Sequence, residues 1–233
     1  MKEFPDKWVE PKFKPIPKWR ESRIGGSFKP AWASRVFDII KFILGVSLLP
    51  FVYSSTLAFL SQVSCIEFSF QNYFWSGAVT LLLVYLFIWE PKIAYEKGHK
   101  LLEVIFSFFQ PLVKVAPYLL PIYTIIIFAL YSFLSIFIRG KWFTEYAMFL
   151  FGFSLALHLV FSAKSIRSKK GDWLMSNYIF GFSFMYILNL GLMALFLNFL
   201  FKEFSIVGFS NATYSVAGSI FKAIFSQLFA VNP

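Results

Sequence analysis

Cysteine is almost absent from this sequence: Cys65 stands alone. A single thiol excludes an internal disulfide framework and any zinc or iron–sulfur site built from several thiolates. Histidine is nearly as scarce. His99 and His158 are the only two, too few for a pair of haems or a His-rich metal centre. Charge is thin as well: Asp, Glu, Lys and Arg make up 15% of the 233 residues, where a soluble domain carries roughly a quarter. The catalytic signatures HExxH, GxSxG and CxxC, the phosphate-binding loop and the Gly-rich dinucleotide turn are all missing. No enzymatic activity and no cofactor are therefore expected.

What is there is apolar surface. Hydrophobic residues make up 58% of the chain and aromatics 22%, with 33 phenylalanines. A soluble domain of this length has no interior large enough to hide that much. Windows of about 19 residues, the length that crosses roughly 30 Å of hydrocarbon, pick out five spans: 36–62, 74–94, 118–138, 142–162 and 174–200. The expected fold is an all-α polytopic membrane protein. It divides into an arm at 1–35, a five-helix transmembrane domain at 36–203 and an amphipathic tail at 204–233.

The basic residues set the orientation. Nine Lys/Arg precede Val36, three lie in the 95–117 connection and four in the 163–173 loop. The positive-inside rule then expects the N-terminus in the cytoplasm and, after five crossings, the C-terminus outside. The expected location is the inner (cytoplasmic) membrane of a bacterium. The arm alternates proline and lysine with aromatics, so Trp8, Phe13, Trp19 and Trp32 are candidate docking residues for a neighbouring subunit.

Residues 100–128, "KLLEVIFSFFQPLVKVAPYLLPIYTIIIF", run apolar for longer than one crossing and carry three prolines. From His99 to Lys114 the polar residues recur every three or four positions, along one helical face. That pattern predicts an interfacial helix at about 98–110, then a bend at Pro111, Pro117 and Pro121. The bend is expected near the cytoplasmic surface, where water satisfies the carbonyls it frees. In the tail, Ser215, Ser219, Lys222 and Ser226 share one face and predict a second surface-lying helix, on the outer side.

Polar groups inside spans are where function is sought first. His158 and Asn189 are the candidates, together with Asp38 and Lys41, which open span one three residues apart and are placed to pair. An echo, "FLFGFS" at 149–154 and "YIFGFS" at 178–183, makes Gly152, Ser154, Gly181 and Ser183 candidate packing residues where spans four and five meet. The resulting expectation is a non-catalytic subunit or scaffold of a larger membrane assembly, with lipid and other subunits as partners and no nucleic acid. A small transporter or channel with its pathway near His158 and Asn189 is the alternative. A lipid-acting enzyme has only the surface-lying helices in its favour.

Overall fold

A computed structural model describes residues 31–88, 92–107, 116–168 and 178–229. Trp8, Phe13 and Trp19 lie outside the described residues, and of Trp32 only the backbone, in the first turn of α1, is described. Among the described residues the fold is all helix: α1 (Ala31–Val63), α2 (Phe68–Leu83) continuing into a π-helical turn at Val84–Ile88, α3 (Lys92–Ile105), α4 (Ile122–Leu134), α5 (Lys141–Ser168), α6 (Tyr178–Leu200) and α7 (Ile206–Phe229). Within these, Val36–Val63, Lys141–Arg167 and Tyr178–Leu200 are long and apolar enough to cross a bilayer. Counting Phe68–Phe87 and Lys92–Ile105, which meet at a bend of 118°, as one span brings the number to four. These helices are compatible with an integral membrane protein.

Helix α2 runs parallel to α5, and this is the most extensive packing in the bundle. The pairs advance together along both helices: Glu67 with Lys141, Ser69 with Glu145, Phe74 with Gly152, and Tyr85 with Phe161 at 5.7 Å between ring centroids. A Cβ built on Gly152 would stand 1.9 Å from the Phe74 carbonyl oxygen, and one on Gly77 2.0 Å from that of Phe149. Two glycines facing each other's helix let the backbones touch, which suits Cα–H···O contacts and dispersion where lipid supplies no drive to associate. The Glu67–Lys141 ion pair at the mouth of this interface is half-exposed on both partners. Such pairs contribute little, and a melting curve of the E67A/K141A double variant is expected to overlay that of the parent.

Helix α1 runs parallel to α6. Gly45 lies against the backbone of Phe180, and Thr56 Oγ1 meets Tyr186 Oη at 3.0 Å. In its most apolar stretch only 11% of α1 residues are buried, against 56% in α5 and 50% in α6. The outer side of α1 is therefore free for lipid. Helix α4 is antiparallel to α5, joined by Thr124–Ser154 at 2.9 Å and Tyr131–Thr144 at 3.0 Å. The core gathers Phe74, Met148, Phe151, Met193, Leu197 and Phe204.

Three elements differ from the sequence reading. The amphipathic helix expected at 98–110 is described from Lys92 to Ile105 and so takes in residues that the hydropathy window had assigned to span two; residues 89–91 and 108–115 lie outside the described ones. Span three is shorter than expected: α4 holds 13 residues, about 20 Å, after a separate helical turn at 116–119. The third difference is α7. The expected surface-lying helix instead runs antiparallel along α1. At its start Gln62 Oε1 accepts from the Ser205 N–H (2.9 Å), and farther along Phe221 packs on Phe51, with centroids 5.8 Å apart.

A polar network at a helix break

Pro121, at φ −79° and ψ 79°, interrupts the helical path between the turn at 116–119 and α4. Its ring nitrogen has no hydrogen to give the Pro117 carbonyl, and the residues around it leave the helical ladder. The carbonyls of Tyr118 and Leu119 are turned toward the neighbouring helices, and two side chains take them. His158 Nε2 lies 3.2 Å from the Tyr118 oxygen. Asn189 Nδ2 donates to the Leu119 carbonyl at 3.0 Å and to that of Met185 at 2.8 Å. Because a carbonyl only accepts, the bond to Tyr118 assigns the imidazole hydrogen to Nε2.

The network extends outward from there. Ser162 Oγ lies 3.3 Å from His158 Nε2 and 3.2 Å from the Tyr95 hydroxyl, tying α5 to α3. Tyr123 donates from its hydroxyl to the Ala94 carbonyl, so α3 is also fastened to α4. Gly98 allows that approach: its Cβ position lies 2.8 Å from both Ile122 Cγ2 and Tyr123 Cε2. The space left between Tyr95, His99, Pro117, Tyr123, Ser154 and His158 is about 10 Å³, room for one water at most. One buried acceptor, Asn189 Oδ1, has no hydrogen-bond partner among the described residues.

His158 sits six residues before Lys164, about 9 Å along α5 from that charged residue. The water expected to satisfy freed carbonyls is thus replaced by side chains that are themselves 6% and 0% exposed.

The sequence-selected residues divide among several places. His158 and Asn189 meet at the break. Asp38 and Lys41 form an ion pair of their own on α1, at 3.9 Å. Ser154 bonds Thr124 of α4, and Gly152 faces α2. Gly181 follows Ile179 and Phe180, which lie against Gly45 of α1; Ser183 is buried. Of the first copy of the echo, Gly152 is used against α2 and Ser154 against α4. Thr124, Ser162, Tyr95 and Gly77 were not singled out from sequence. Gly77 faces the Phe149 backbone of α5 across a parallel pair, which no pattern within one helix reveals. Among the described residues no three His, Cys, Asp or Glu gather closely enough to hold a metal ion. Comparison with protein-family models, curated proteins and solved structures finds no match to this chain.

Proposed function

We propose that this chain is a non-catalytic integral membrane subunit or scaffold of a larger membrane assembly, held with its N-terminal arm in the cytoplasm of a bacterial cell. The observation that carries the reading is how the polar interior is used. His158 and Asn189, the two groups best placed to handle a proton or solute, give their hydrogens to the protein's own carbonyls. The space beside them admits about one water. A side chain committed to closing a backbone break serves architecture.

Helix α3 supports an interfacial role at the cytoplasmic end. It turns Tyr95, Gly98 and Leu102 onto the bundle, while Lys92, Glu96 and Glu103 are exposed beside Ile93 and Val104. A charged stripe flanked by apolar surface suits the headgroup boundary.

Purification from the native membrane in mild detergent, followed by mass measurement of the intact particle, tests the assembly. A particle containing other subunits is the expected result; a lone chain overturns the reading. Orientation has its own test, because Cys65 is exposed in the α1–α2 connection. A membrane-impermeant maleimide is expected to label it on intact cells. Labelling only after permeabilisation would invert the topology.

A transport reading has one specific observation in its favour: the break lies inside the bundle, as in the discontinuous helices of secondary transporters, beside Asn189, whose buried Oδ1 has no partner among the described residues. Flux of cations or small polar solutes into vesicles holding the purified chain, lost in H158A and N189A, would establish it. Flux no faster than in empty vesicles removes it.

A further inference from the structure

The reversal between α6 and α7 is fastened at both neighbouring helix ends. Asn198 Oδ1 accepts from the Ile206 N–H at 3.0 Å and Gln62 Oε1 from the Ser205 N–H at 2.9 Å. From there α7 follows α1 back, and Phe221 reaches Phe51, close to the midpoint of the apolar stretch Val36–Val63. The helix has 24 residues and a length of about 36 Å, more than the roughly 30 Å of a bilayer's hydrocarbon, though its polar seam leaves it less apolar than the three long spans. Its inner face buries Phe209 and Ala217. Its outer face carries Asn211, Ser215, Ser219, Lys222 and Ser226, all exposed, at successive steps of four, four, three and four. Exposed Tyr214, Ile224, Phe225, Leu228 and Phe229 flank this seam with apolar surface.

We propose that α7 crosses the membrane and that this seam, with Lys222 at mid-depth, docks a partner transmembrane helix that bears a carboxylate at the same depth. The proposal rests on the assembly reading above and names its partner's chemistry. A lysine held at the bilayer centre and facing hydrocarbon is costly, and Lys222, next to the residue paired with Phe51, lies too deep for its stem to reach either headgroup layer. Among the described residues Lys222 has no ion-pair partner within 4.0 Å. The helices packed on α7 are α1 and α6, and they carry one acid between them, Asp38, already paired with Lys41. A second copy of this chain is a poor occupant. Two copies inserted in the same sense and related by an axis along the membrane normal would set one Lys222 against the other at equal depth. The serines supply the small side chains that let a foreign helix approach closely.

The test uses the full chain in phosphatidylcholine vesicles, labelled at its single cysteine with a fluorescent donor. The probes are acceptor-labelled Leu/Ala transmembrane peptides with a central Asp, Leu or Lys. The Asp peptide is expected to bind about tenfold more tightly than the Leu peptide, with the Lys peptide weakest, and K222M is expected to erase the difference. Equal binding of the three peptides, leaving lipid alone on the seam, overturns the proposal. So does an Asp preference that survives K222M, and so does disulfide-linked dimer from S219C in a C65S background, which would place a second copy there. Complete labelling of that S219C chain by an impermeant maleimide in intact membranes would show α7 lying in water, and overturns the crossing itself. The assembly reading fails separately. A native complex that survives K222M keeps it and loses this docking face, whereas a lone chain from native membranes that still prefers the Asp peptide does the reverse.

Discussion

Replacing Gly152 with leucine is expected to pull α2 from α5 and give the largest loss of stability of any single substitution in the bundle. The obstacle is backbone: even a methyl group at 152 stands 1.9 Å from the Phe74 oxygen, and at 77 it stands 2.0 Å from the Phe149 oxygen. A flexible side chain in the way can rotate aside, but a helix carbonyl cannot. The two helices have to separate along their length, and the contacts around Phe74, Met148 and Phe151 loosen with them. Overpacking of a core costs about 1–3 kcal/mol, and G152A is expected in the upper part of that range. At roughly 2–4 °C per kcal/mol for a chain of this size, its melting temperature in detergent falls by several degrees. G152L is expected not to reach the folded state in amounts that survive extraction. Gly191 and Gly218 are the controls, since a Cβ at either meets nothing within 4 Å. G191A and G218A are expected to melt at or slightly above the parent, because alanine is the better helix former by up to about 1 kcal/mol. If G152A melts with these controls, the close backbone approach between α2 and α5 is wrong.

That contrast shows which parts of the fold a single sequence discloses. Hydropathy located the long helices because crossing a bilayer demands a run of apolar residues whatever the neighbours are, so the regions around α1, α5 and α6 were legible from composition alone. Helix pairing was not. Gly152 and Gly181 look equivalent in their matching hexapeptides, yet one meets α2 and the other follows residues packed on α1, a choice made by bundle geometry. The polar residues of α7 show the same limit in a different way. A stripe of serines and one lysine reads as a water-facing edge when the helix is taken alone, and nothing in that stripe discloses the alignment of α7 along α1. At the candidate site the sequence supplied the members without the connection. Pro121, His158 and Asn189 each stood out, but 31 residues separate the two polar side chains and no local rule joins them to the carbonyls of 118 and 119.

The second large effect is expected at that connection. H158L strips the Tyr118 carbonyl of its donor and removes the contact with Ser162, leaving both groups in a site with room for one water. A buried polar group left unmatched costs about 1–3 kcal/mol, and two are exposed to that penalty here. N189L is expected to cost less. It removes the donor to Leu119, but it also removes Oδ1, a buried acceptor with no partner among the described residues, and that relief offsets part of the loss. The informative measurement is the double variant. His158 and Asn189 hold adjacent carbonyls of one interrupted turn, so once either cap is gone the turn can shift and the other cap has less left to hold. The combined loss in H158L/N189L is therefore expected to fall short of the sum of the singles by about 0.5 kcal/mol or more, as for residues that share one network. Thermal or denaturant melting of the four proteins in the same detergent gives the cycle directly. Strict additivity would mean that the two side chains act on separate parts of the bundle, and the break at Pro121 would then need another explanation for its stability.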